Sequence, residues 1–113
     1  MKRVEAIVRV ERLRKVRERL KELDVGGIIL HADGWSKEIK FHLRYRGLPV
    51  SYDLIPLAKF ELFIPDDKLE LVVKTIRENA GTGETGDGVI AVSDLENIMN
   101  ITPADNQGAT SGL

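Results

Sequence analysis

Two stretches of the chain begin with alternating apolar residues and then change to a helical spacing. The first, Val4 to Leu20, reads VEAIVRVERLRKVRERL, and the second, Phe60 to Ile76, reads FELFIPDDKLELVVKTI. At a constant offset of 56 positions Glu5 matches Glu61, Ile7 matches Phe63, Leu13 matches Leu69, Val16 matches Val72 and Leu20 matches Ile76. Each copy opens with the short β-rich run of a strand. Each then takes up the i, i+3, i+7 spacing of a helix, with Leu13, Val16, Leu20 and Leu23 forming one apolar stripe. Pro65-Asp66-Asp67 predicts a helix start, because an Asp can cap free N–H groups and the helix dipole favours acids there. Glu11 is a weaker signal of the same kind. Glycines follow each helix (Gly26-Gly27, then Gly81 and Gly83), and another apolar run follows each set.

The chain therefore reads β-α-β, a long excursion, and β-α-β again. That is the α+β, ferredoxin-like split βαβ arrangement, with helices on one face of an antiparallel sheet. A length of 113 residues suits one domain, and 42% apolar residues with 31% charged support a core and a soluble surface. No apolar run approaches the roughly 20 residues needed to cross a bilayer. Met1-Lys2-Arg3 leads straight into a strand, so no signal peptide is expected. Without cysteine there is no disulfide, thiol catalysis or thiolate metal site. A formal charge of −1 gives no electrostatic case for bulk nucleic-acid binding.

Two segments carry candidate chemistry. Thr82-Gly83-Glu84-Thr85-Gly86-Asp87-Gly88 has three glycines in seven residues, followed by the apolar run Val89-Ile90-Ala91-Val92. Such a loop reaches positive φ, and its successive N–H groups can form a concavity for an anion. A helix C-cap with a tight turn accounts for the glycines equally well. The excursion from Gly34 to Pro56 interleaves Lys37, Lys40, Arg44 and Arg46 with Trp35, Phe41, Tyr45 and Tyr52. Long connections of this kind often carry function, here a partner-binding loop. A protruding β-hairpin whose apolar residues pair locally is the alternative. The length and composition of residues 36–53 predict the least stable part of the fold, cut first by protease at Lys37, Lys40, Arg44 or Arg46.

The pieces Tyr45-Arg46-Gly47, FELFIPDD and TGETGDGVIAV, in that order and spacing, resemble the PII signalling family over residues 1 to about 101. The resemblance implies a PII-like domain over 1–101, with a T-loop at about 35–55 and a B-loop at about 82–88, and a flexible tail over 102–113. It also implies a homotrimer of ferredoxin-like subunits in the cytoplasm, with adenine nucleotides in the clefts between subunits. The T-loop then regulates a target protein such as a transporter or a metabolic enzyme. By position, the adenine and ribose surroundings fall on Ile7, Ile28, Ile29, Gly34, Glu61 and Phe63. The phosphate loop falls on Gly86, Asp87, Gly88 and Val89, with Lys37 approaching from the T-loop base. The partner-binding T-loop residues are Trp35, Lys40, Arg44, Tyr45, Arg46 and Tyr52.

The chain departs from the family pattern at the charged positions. Val89 stands where the family has a phosphate-neutralising lysine, and Asn100 and Thr102 stand where it has two arginines on the last strand. Backbone N–H groups replace three cations poorly. This favours ADP or AMP over ATP. Glu38 and Leu57 replace the glutamine and lysine of the family's 2-oxoglutarate site, which speaks against that effector. Val50 replaces the modified tyrosine of some members, and Tyr52 is two residues away.

The remaining candidates are weaker. His31 and Asp33 share one face of a strand, but two ligands make a partial metal site, so no metal is assigned. The basic run Arg12 to Arg19 is the solvated face of the first helix. No Ser-His-Asp set or carboxylate pair suits catalysis, so no enzyme is expected. Two rival readings stay open. One is a nucleotide-independent PII-like module tied to transporter or metal regulation. The other is an RNA-binding ferredoxin-like domain, against which stands the lack of clustered exposed aromatics on the central strands.

Overall fold

The computed structural model describes residues 1–35, 41–45, 48–52, 54–84 and 86–103, with the backbone alone along 41–45 and 48–52. The first repeat forms β1 (Lys2–Arg9) and α1 (Leu13–Glu22), followed by β2 (Ile28–Gly34). The excursion contains β3 (Phe41–Tyr45) and β4 (Leu48–Tyr52). The second repeat forms β5 (Ile55–Ile64) and α2 (Leu69–Ala80), followed by β6 (Gly88–Asp94). The strands β2-β5-β1-β6 make one antiparallel sheet, and β3 and β4 pair as a separate antiparallel hairpin, from Phe41 opposite Tyr52 to Tyr45 opposite Leu48. This is the α+β, ferredoxin-like architecture expected from the repeat, and the excursion holds the hairpin. Lys37, Lys40 and Arg46, three of the expected cleavage sites, lie outside the described residues, while Arg44 lies on β3.

Both helices cover one face of the sheet. Val4, Ala6 and Val8 of β1 and Ala58, Phe60, Leu62 and Ile64 of β5 are buried against Val16 and Leu20 of α1 and Val72, Ile76 and Ala80 of α2. Leu13, Leu23, Ile29, Leu69 and Ile90 complete this core from its rim. The two helices start at matching points of the repeat, each after a 3-10 turn, Val10–Arg12 and Asp66–Lys68. Neither start has a side-chain cap. Asp66 instead pairs with the amino group of Met1 at 2.8 Å, so the expected capping role of Pro65-Asp66-Asp67 reduces to acids near the positive end of the dipole.

The helix ends also differ from the glycine rule. Past α1 the left-handed residue is Asp24, at φ 58°, and not Gly26 or Gly27. The N–H groups of Asp24 and Val25 return to the carbonyls of Lys21 and Leu20 at 3.0 and 3.1 Å. Asp tolerates this conformation better than most residues with a side chain. Gly27 is required for another reason, since a Cβ there would lie 2.4 Å from Leu62 Cδ2 and 2.7 Å from the Glu61 carbonyl oxygen.

Candidate functional site

The face of the sheet away from the helices is open and carries Arg3, Glu5 and Ile7 of β1, Leu57, Lys59, Glu61 and Phe63 of β5, Ile28 and Leu30 of β2, and Val89 of β6. Strand alternation and the register place them together, with Glu5 directly opposite Glu61 and Ile7 between Lys59 and Val89. Like charges placed opposite one another are destabilising. Arg3 and Lys59 offset this. Arg3 donates to Glu5 at 2.7 Å and its Nε lies 3.3 Å from Glu61, while Lys59 Nζ lies 2.9 Å from Glu5. Lys59 first, and Arg3 after it, hold the Glu5 carboxyl below the usual carboxylate range against a smaller opposing effect of desolvation.

At the end of β1 the open face meets the glycine-rich loop. Gly83, Gly86 and Gly88 all have positive φ, at 85°, 97° and 121°. Gly88 begins β6 opposite Val8, and a Cβ there would lie 1.8 Å from the carbonyl oxygen of Ile7. Only glycine lets the two backbones approach in this way. Beside the loop lies a cavity of about 310 Å³, lined by Ile7 and Val8, the last turns of α2 with Arg77, and Asp87 to Ile90. Asp87 does not simply face this space. It accepts hydrogen bonds from the N–H groups of Thr82 and Gly83 at 2.7 and 3.0 Å and from the Thr82 hydroxyl, and Arg9 Nε lies 3.4 Å away. The Thr82 hydroxyl chiefly, then the two amides and Arg9, hold its carboxyl below the usual range, against an opposing desolvation effect.

The sequence-derived positions divide among several places. Ile7, Asp87, Gly88 and Val89 line the one cavity, and Gly86 belongs to the same loop. Gly34 pairs with Ile55 at the same end of the sheet, beneath Leu57: a Cβ on Gly34 would lie 2.5 Å from Leu57 Cδ1. Ile28, Glu61 and Phe63 lie on the open face toward the other end. The register sets Phe63 opposite Arg3, four positions from Ile7, or about 13 Å along the strand. Ile29 points to the helix side, where it lines a separate cavity with Leu20 and Phe60. The described chain alone therefore does not gather these positions into one pocket.

Trp35 is exposed at the end of β2. Lys37, Lys40, Glu38 and Arg46 lie outside the described residues, and Arg44, Tyr45, Val50 and Tyr52 are placed only by the backbone of the hairpin. Asn100 and Thr102 come after β6, which ends at Asp94, so the last described strand does not carry them as expected. His31 and Asp33 lie opposite Ala58 and Pro56 on the edge strand β2. Among the described residues no three metal-ligating side chains come together, and no helix is long and apolar enough to cross a membrane. Arg9 and Arg77 are not among the sequence-derived positions, and Thr82 is there only as the first residue of the glycine-rich stretch. Thr82 and Asp87 are five apart across a glycine run, and that spacing is the one signal that points to the contact.

The family model described as nitrogen regulatory protein P-II matches residues 1–105. The chain belongs to the nitrogen regulatory protein P-II family. It is 37% identical over 106 residues to a nitrogen regulatory protein P-II of Pyropia yezoensis, covering 93% of this chain and 95% of that protein. It is 33% identical over 110 residues to nitrogen regulatory protein P-II 1 of Escherichia coli K12, covering 96% and 98%. A P-II of Rhizobium meliloti is 36% identical over 102 residues, covering 89% and 91%. P-II relatedness therefore runs through both repeats and the excursion between them, and P-II family proteins are regulatory signalling proteins.

Proposed function

We propose that this P-II protein is a cytoplasmic homotrimeric regulator that binds an adenine nucleotide between subunits and signals to a target protein through residues 35–55. The observation that carries the reading is the glycine-rich loop. Gly83, Gly86 and Gly88 hold positive φ beside a cavity of about 310 Å³ that contains Ile7 and Val89. A concave site next to a backbone rich in free φ suits a phosphorylated ligand. The separation of Ile7 from Phe63, four positions along the neighbouring strand, and the turn of Ile29 to the helix side support a site completed by a neighbouring subunit, since one chain does not bring them together.

The nucleotide class follows from charge. Val89 is 61% exposed beside the loop and supplies no cation. Each missing charge-assisted bond weakens phosphate binding by roughly 1.5–3 kcal/mol. ADP or AMP is then bound at least as well as ATP. Leu57, packed over Gly34, offers a carboxylate ligand no charge, so 2-oxoglutarate does not strengthen ATP binding. Titration calorimetry with ATP, ADP and AMP, each with and without 2-oxoglutarate and magnesium, tests this. The reading expects ADP or AMP to match ATP. Strong magnesium-dependent synergy between ATP and 2-oxoglutarate would reverse it. Val89→Lys, at a site with room for the longer side chain, is expected to move the preference back toward ATP. If none of the nucleotides binds, the alternative of a nucleotide-independent protein-binding module takes its place, as the exposed Val89 would also suit.

A further inference from the structure

An acid inside a phosphate loop is at first sight a contradiction, since a carboxylate facing a phosphate repels it. The contacts of Asp87 remove the contradiction. Its Oδ2 takes the N–H groups of Thr82 and Gly83, and its Oδ1 takes the Thr82 hydroxyl and faces Arg9 Nε at 3.4 Å. The same Thr82 hydroxyl accepts from the N–H of Glu84 at 3.3 Å. Thr82 and Gly83 are thus gathered on one side chain from the far end of the loop, and Glu84 is tied to it through the Thr82 hydroxyl. The glycines between them permit the closure, since Gly83 and Gly86 both have positive φ. Arg9 comes from the end of β1, so the latch also ties the loop to the sheet.

We propose that Asp87 is a positioning residue that latches the glycine-rich loop into shape and does not itself touch the ligand; this rests on the nucleotide-binding reading above. The Thr82, Gly83 and Glu84 amides are committed to the latch. The donors left for a phosphate are those on the Gly86–Gly88 side, beside the cavity. The carboxylate borders the cavity, but its charge is engaged by two amides, a hydroxyl and a guanidinium of the chain itself.

Amide hydrogen exchange of the full chain by NMR, together with ADP titration, tests the latch with Asp87→Ala and Asp87→Asn. An Asn side chain keeps an accepting oxygen and loses the charge, whereas Ala loses both. The expected result is exchange at Thr82 and Gly83 faster by at least about tenfold in the Ala variant and by less in the Asn variant. ADP affinity should fall roughly tenfold in Ala and within about threefold in Asn. Thr82→Val should speed exchange at Glu84, whose N–H loses its acceptor, and Thr82→Ser should restore it. Unchanged exchange at Thr82 and Gly83 in Asp87→Ala would overturn the proposal. So would tighter ADP binding by both variants, which would mean that the carboxylate faces the phosphate. If the unaltered protein binds no ADP, the nucleotide reading fails, and the exchange comparison still decides the latch.

Discussion

Single glycines in this protein have different reasons for being glycine, and these separate by experiment. At Gly88 a Cβ would collide with the Ile7 carbonyl at 1.8 Å, a backbone group that cannot rotate away. At Gly83 a Cβ would meet nothing within 4 Å, and only the positive φ resists substitution. Gly83→Ala should therefore cost about 1–2 kcal/mol, the strain of a left-handed residue. Gly88→Ala should cost clearly more, because it also parts β6 from β1 where they begin to pair. Urea denaturation of the two variants measures the difference. The carboxylates of Glu5 and Asp87 give a second test. Both are held below the usual range when folded, so in that range the unfolded chain binds more protons. Their stabilising effect is complete above the ordinary carboxylate pKa of about 4 and is lost as pH falls through the lower folded values. The urea midpoint should stay level from neutrality to about pH 5 and fall below it. Asp87→Asn should make the fall shallower.

At the scale of elements, the repeat governs where helices start, and local sterics govern where they stop. The two 3-10 turns and the two helices begin at equivalent positions of the repeat, although one copy has Pro65-Asp66-Asp67 and the other Arg9-Val10-Glu11. Burial of the stripe Val16 and Leu20, and of Val72 and Ile76, decides the helical starts, because neither has a side-chain cap. The end of α1 rests on Asp24 at φ 58°. Asp24→Gly should be neutral or stabilising within about 1 kcal/mol, because relief of strain opposes added freedom of the unfolded chain. Asp24→Val should destabilise by about 1–2 kcal/mol, since a β-branched residue resists this conformation most. Thermal unfolding followed by circular dichroism checks both.

At the scale of the whole molecule the open sheet face is the dominant feature. The Glu5–Glu61 pair links equivalent positions of the two repeats, and so do Arg3 and Lys59, which offset it. The ion cluster is therefore nearly two-fold symmetric within one chain. Around it Ile28 and Leu30 are about half exposed and Val89 more so, and an apolar rim of this kind favours association. Light scattering at micromolar concentration should give the mass of a trimer with the sheets facing inward. Leu30→Asp should shift it toward monomer while leaving the helix-side core intact, because Leu30 lies opposite Lys59 on the open face. A monomeric mass for the unaltered chain would count against the inward-facing arrangement.

The sequence by itself determined the repeat, the order of strands and helices outside the excursion, the apolar stripes of the helices and the P-II resemblance. These follow from periodicity and from motif spacing, which are local properties of the chain. Val16 and Val72 were legible as buried because each sits at the centre of an apolar stripe that can face only one way. The glycine-rich loop was legible for the same reason, through Gly83, Gly86 and Gly88. Only the tertiary structure decided which of the neighbouring Ile28 and Ile29 faces the helices, and it is Ile29 that joins the core. It alone brought Arg9 to Asp87 and turned that acid toward Thr82 and Gly83. It also placed Asp24, rather than a glycine, in the left-handed conformation past α1. Such choices depend on which strands pair, in what register, and on where a chain end returns. Those are non-local balances of burial and charge that no short window of residues contains.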